Sequence, residues 1–149
     1  MVKQQLLNRR VRSERGAELI ELALVLPILF LVIAGIVDFG LLMQRYLTIN
    51  NAAREGARIA VLPGYGLTDV QNRVALFVSQ GTDTSTSPVT TLTPVSIDPP
   101  GPTPPFPAAQ VTVTMTHNYL FLGPVSGLFG GGSFSTITLT ARSTMRIES

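Results

Sequence analysis

Sixteen consecutive residues, 22–37, carry no charge, and a strongly basic segment stands just upstream of them. Lys3, Arg9, Arg10, Arg12 and Arg15 all fall within residues 1–16, where Glu14 is the lone acid. Downstream only Asp38 interrupts the apolar character before Met43. A helix over residues 22–43 would be roughly 33 Å long at about 1.5 Å per residue, enough to cross a bilayer core. The basic flank predicts a cytoplasmic N-terminus and an extracytoplasmic chain beyond Met43. A buried helix of a soluble protein is the first rival, but a chain of 149 residues offers little else to surround such an apolar cylinder. A secretory signal peptide is the second. Against it, the stretch is long for a signal, no small-x-small site closes it, and Gln44-Arg45-Tyr46 reads as a helix continuing into the interface. Pro27 removes one backbone hydrogen bond, to the carbonyl of Ala23, and predicts a kink that membrane helices tolerate.

The placement of charge also decides which partners to expect. Residues 1–16 are +4 alone, whereas residues 17–149 hold six Arg against eight acids and sum to −2. The overall +2 therefore marks orientation rather than a basic surface, and no nucleic-acid partner is expected. With no Cys there is no disulfide scaffold, thiolate zinc site or Cys nucleophile. His117 is the single His, ending an alternating apolar face, and reads as a structural residue. The G-x-S-x-G nucleophile elbow is absent, although sequence alone leaves a Ser-His-Asp triad open. Gly130-Gly131-Gly132 lacks the Lys and Ser/Thr of a phosphate loop. The expectation is no catalytic residue, no metal, no cofactor and no small-molecule substrate. Asp38 reads as an interfacially solvated group or a subunit contact, since no array of intramembrane partners exists for an ion relay.

No breaker occurs between Met43 and Leu62, so the helix should extend over residues 17–62 until Pro63-Gly64 stops it. Tyr46, Ile49, Ala53, Ala57 and Ala60 share one helical face, with Arg45, Thr48, Asn51, Glu55 and Arg58 around the rest. Ala52, Gly56 and Ala60 form a stripe along which a second backbone could approach closely. Thr68-Asp69 predicts the cap of a short helix over about 70–79, closed by Gly81. Residues 82–107 hold eight of the eleven Pro and read as a loop of polyproline II character, with 89–97 as a weaker third strand. Residues 110–118 and 135–147 alternate apolar residues with Thr and read as antiparallel strands. Between them, residues 119–134 are apolar and Gly-rich and should fold back over the sheet or the helix. The fold class is α+β: a basic leader (1–16), a long helix (17–62, spanning about 22–43), and an extracytoplasmic helix-plus-sheet domain (63–149). So small a domain, without disulfides, needs the outer half of the helix as a staple.

Three blocks carry a resemblance. Arg15-Gly16-Ala17 with Glu21-Leu22-Ala23-Leu24-Val25-Leu26-Pro27, then Gly35-Ile36-Val37-Asp38-Phe39-Gly40, then Asn51-Ala52-Ala53-Arg54-Glu55-Gly56-Ala57-Arg58 are similar to the TadE-like family. Those proteins are pseudopilin components of the bacterial tight-adherence (Tad/Flp) pilus machinery. The residue after the Glu, usually aromatic in that family, is Leu22 here. The resemblance implies a pilin-like, non-catalytic, single-pass protein of the bacterial inner membrane. It implies cleavage between Gly16 and Ala17 by a prepilin peptidase. Glu21 would then pair with the new α-amino group of a neighbouring subunit, and the 51–58 block would be a helix-packing motif. Implied partners are other pseudopilins, the major pilin and the inner-membrane assembly platform, with incorporation into the surface pilus left open. The alternatives are an uncleaved, membrane-anchored extracytoplasmic binding module and a membrane-anchored hydrolase.

Overall fold

The computed structural model describes residues 2–81, 87–101, 104–128 and 136–147. The chain is α+β, with element order α1 (Val2–Ala60), α2 (Leu67–Gly81), β1 (Val89–Ile97), β2 (Phe106–Asn118), α3 (Leu122–Leu128) and β3 (Thr136–Arg146). It divides into two compact units, Met1–Val37 and Asp38–Ser149.

The first unit is helix. It starts at Val2, passes Gly16 uninterrupted and continues through Pro27. From residue 24 to 33 the large apolar side chains present, from Leu24 through Ile33, are all exposed. Apolar groups on every side give this stretch no polar face to turn to water. It is the one helix among the described residues long and apolar enough to cross a membrane. The leader's side chains lie outside the described residues.

The second unit begins with the outer part of α1. This helix ends at Ala60, and Leu62 N–H donates to the Ile59 carbonyl as the chain turns. Gly64 then takes a φ of 85°, a left-handed conformation that favours glycine. Helix α2 starts at Leu67, three residues before the sequence signal. Asp69 does not stand outside the helix as a cap. It sits in the first turn and accepts from Gly66 N–H at 2.9 Å, the backward arm of a capping box.

The sheet has the order β1-β2-β3, antiparallel throughout. Period-two alternation aligns across the strands, because Leu92 pairs with Val111, Val113 with Ala141 and Met115 with Leu139. The opposite face is rich in Thr: Thr91 pairs with Thr112, Thr114 with Thr140 and Thr116 with Thr138. Strand β1 occupies residues 89–97 of the tract read as a Pro-rich loop, and residues 82–86 and 102–103 of that tract lie outside the described residues. Pro94 is accommodated because β1 is an edge strand. Pro107 lies near the start of β2, where it cannot donate to the ladder but its carbonyl accepts from Ile147 N–H, just past β3, at 2.9 Å.

One core joins these elements: Ile49, Ala52, Ala53 and Ala57 of α1, Val70, Val74 and Val78 of α2, and Val111, Val113, Met115, Leu139 and Ala141 of the sheet. A fully buried Val or Ile is worth about 1.5–3 kcal/mol, so the outer half of α1 supplies a share that the sheet and α2 could not replace. The buried stripe keeps Ile49, Ala53 and Ala57 of the expected face but is shifted at its edges. Tyr46 is 44% exposed and Ala60 half-buried, whereas Thr48, Ala52 and Gly56 are buried. The face is rotated because α2 packs over Thr48 and Gly56.

Candidate functional site

Block 51–58 divides by side-chain size. Ala52, Ala53 and Ala57 are fully buried and Gly56 is buried with them, while Asn51, Arg54 and Arg58 are exposed and Glu55 is half-buried. A Cβ added at Gly56 would lie 2.8 Å from Val74 Cγ2, 3.2 Å from Val111 Cγ1 and 3.4 Å from Val70 Cγ1. Two elements, α2 and β2, therefore converge on this one residue. The stripe drawn from Ala52 through Gly56 admits the chain's own helix and sheet. A Cβ at Gly81 would meet Thr48 Cγ2 at 2.7 Å. With Gly56 opposite Val74 and Thr48 opposite Gly81, α1 and α2 form an antiparallel hairpin zipped by small residues at both ends.

Charge locks the same hairpin from outside. Glu55 accepts from Arg58 within α1 (2.8 and 2.9 Å) and from Arg73 of α2 (2.9 Å). The hydrogen bonds from Arg58 and then Arg73 hold its carboxyl near a pKa of about 2. Sequence spacing exposes the i, i+3 pair but not Arg73, which is eighteen residues away. An open depression of about 450 Å³ lies beside the pair, lined in part by Tyr65, Asp69 and Asn72. Both guanidinium groups at its rim are committed to Glu55.

Asp38 is the residue the sequence least explains. It is fully buried, and its carboxylate accepts from three successive backbone amides: Leu120 N–H at 2.9 Å, Phe121 N–H at 3.1 and 3.2 Å, and Leu122 N–H at 2.7 Å. They stand at the start of α3, where a helix supplies no intrahelical acceptor for its first amides. The Asp of one helix thus caps another, distant in sequence. Solvation, one of the two readings offered for Asp38, is not what the structure shows, because the side chain is buried within the chain itself. Within the segment 119–134, Leu120, Phe121 and Leu122 reach α1 at this point. Its Gly130-Gly131-Gly132 run and Phe134 lie outside the described residues.

His117 is 1% exposed on the core face of β2. Its ring meets Tyr119 edge-on, with centroids 5.3 Å apart. Neither ring nitrogen has a hydrogen-bond partner, which is not the arrangement of a base oriented by a carboxylate. Burial lowers its pKa first, the nearby Arg45 charge lowers it further, and Asp38 opposes them. Among the described residues no group of three or more His, Cys, Asp or Glu could hold a metal ion.

Gly16, Ala17 and Glu21 lie on α1 in the first unit, with Ala17 and Glu21 exposed. Nothing lies within 4 Å of a Cβ added at Gly16. Block 51–58 belongs to the second unit. A search of curated proteins and a search of solved structures each found no match. The family model of TadE-like proteins matches residues 16–58, so the apolar segment, Asp38 and the small-residue block together form a TadE-like stretch within a longer chain.

Proposed function

We propose that this chain is a non-catalytic, membrane-anchored pseudopilin or minor pilin that takes part in assembling a type IV pilus of the Tad/Flp kind. One observation carries the reading: the TadE-like match over 16–58 coincides with a helix whose inner part is apolar and exposed and whose outer part is built into a folded unit. An anchor continuous with a small α+β head is the division of labour a pilin-like subunit needs. The inner half meets lipid and neighbouring helices, and the outer half carries the head. In this reading the basic leader stays in the cytoplasm, the domain lies outside the inner membrane, and prepilin peptidase cuts between Gly16 and Ala17. Glu21 is then four residues from the new α-amino group, where a low-dielectric setting makes pairing with a neighbouring subunit strong and position-specific. Other pseudopilins, the major pilin and the inner-membrane platform are the proposed partners.

The N-terminus of protein recovered from membranes tests the processing step. An intact mass beginning at Ala17 supports it; a chain retaining its leader in cells with active prepilin peptidase refutes it and favours an uncleaved anchored module. Glu21→Ala should insert normally but assemble poorly, and normal piliation would remove the charge role.

A further inference from the structure

The bond between Asp38 and the start of α3 has a consequence for where the head meets lipid. From Leu22 to Asp38 the helix rises about 24 Å, while a hydrocarbon core is about 30 Å thick. A core beginning near Leu22 therefore extends past the level of Asp38, by roughly four residues of helix. An unshielded carboxylate at that depth is costly. The amides of Leu120, Phe121 and Leu122 shield it, so the segment carrying them must reach the same depth. The reverse also holds: irregular backbone is tolerated at membrane depth only where its polar groups are satisfied, and Asp38 satisfies these.

The side chains around this bond suit the outer boundary of the hydrocarbon. No Asp, Glu, Lys or Arg occurs anywhere from residue 99 to 141. Leu120 is 59% exposed. Tyr119, Leu122, Val125 and Ser126 line an open hollow of about 310 Å³, and a Tyr beside aliphatic groups is the composition of the membrane-interface belt. We propose that residues 119–126 form a foot that rests in the outer leaflet at the headgroup–acyl boundary, with the lipid bilayer as its partner. The head then holds the membrane at two points, the helix and the foot, and Asp38 couples them. This inference rests on α1 crossing the membrane as proposed above.

The chain has no Trp, so single Trp substitutions in the full chain report without background. Three variants are reconstituted in phosphatidylcholine vesicles containing lipid brominated either near the headgroup or deep in the acyl chain. Leu31→Trp marks the span, Leu120→Trp the foot and Thr140→Trp the Thr-rich sheet face. Emission from Leu120→Trp should be blue-shifted and quenched mainly by the shallow bromines, Leu31→Trp mainly by the deep ones, and Thr140→Trp by neither. Pro124→Trp, at another exposed position of the foot, repeats the measurement if Leu120→Trp misfolds. If Leu31→Trp is quenched while both foot positions behave like Thr140→Trp, the foot is refuted and the anchor stands. If Leu31→Trp escapes quenching as well, the membrane reading itself fails. Adding Asp38→Ala to Leu120→Trp should abolish the lipid quenching; quenching that persists overturns the coupling through Asp38.

Discussion

Gly56→Ala tests whether the small-residue block packs the chain against itself. On an exposed helix the change would gain about 1 kcal/mol in helix propensity. Here the new Cβ would lie 2.8 Å from Val74 Cγ2, roughly 1 Å inside a normal carbon–carbon contact. Retreat is costly. Val74 is fully buried and branched at Cβ, with little rotamer freedom, and Val111 Cγ1 and Val70 Cγ1 close the same space at 3.2 and 3.4 Å. Overpacking of this kind costs about 1–3 kcal/mol, so the net effect should be a loss of up to about 2 kcal/mol. Val74→Ala alone should cost about 2 kcal/mol through lost burial and a cavity. In the double variant the Cβ at position 56 occupies space that the valine vacates. The two costs should therefore fall short of additivity by about 1–2 kcal/mol. Hydrogen exchange of the Val111 and Val113 amides, measured on the full chain in detergent micelles, reads the opening free energy of the core. A Gly56→Ala stabilised by the full helix-propensity gain of about 1 kcal/mol would refute the contact, and an additive double variant would clear Val74 as the obstacle. Normal stability combined with failed assembly would shift the block to a surface between subunits.

Three further outcomes follow from the other contacts. Asp38→Ala strands three amide donors of which one belongs to an exposed residue, so exchange protection at residues 120–122 should fall by about 2–4 kcal/mol, and Asp38→Asn, which keeps one acceptor oxygen, by about half as much. Equal effects of the two substitutions would contradict the cap. His117 has an ordinary value of 6.5 that burial lowers in the folded chain, so the folded state binds fewer protons than the unfolded one just below that value. Its stability contribution is complete above about pH 6.5 and is lost as pH falls through that value and below. His117→Phe should remove this dependence from unfolding curves taken across the window. Glu55 behaves in the same sense at lower pH: with a pKa lowered from 4.5 to about 2, its contribution is complete above 4.5 and disappears as pH falls toward 2. Glu55→Gln should flatten the acid limb of an unfolding titration, and an unchanged limb would mean that Arg73 does not bridge α2 to α1.

Much of this architecture was legible because it is periodic. A charge-free run behind basic residues announces a helix with no polar face, and Val111-Thr112-Val113-Thr114-Met115 announces a strand with two unlike faces, since neighbouring side chains alternate in direction. The weak third strand was also readable from 89–97, despite Pro94, because an edge strand needs donors on one side only. One terminator was legible for the same local reason: α1 ends at Ala60, just ahead of Pro63-Gly64.

Distant pairings were not. Tyr46 and Ala60 fit the helical period as well as Ala52 and Gly56 do, and only the position of α2 selects the second set. Glu55 and Arg58 reveal each other by spacing, but Arg73 joins them only after the hairpin closes. Asp38 is the clearest case. A lone carboxylate near the end of an apolar helix predicts that something must satisfy it, and nothing local does. Its donors lie more than eighty residues away at the start of a seven-residue helix, too short to announce itself by periodicity. Sequence alone thus determined the long apolar helix, the strands and the faces of the sheet, because these depend on residues within a few positions of one another. The tertiary structure decided which face of α1 is buried, why Gly56 has no side chain and what Asp38 holds, because each depends on surfaces that meet only when the chain has folded.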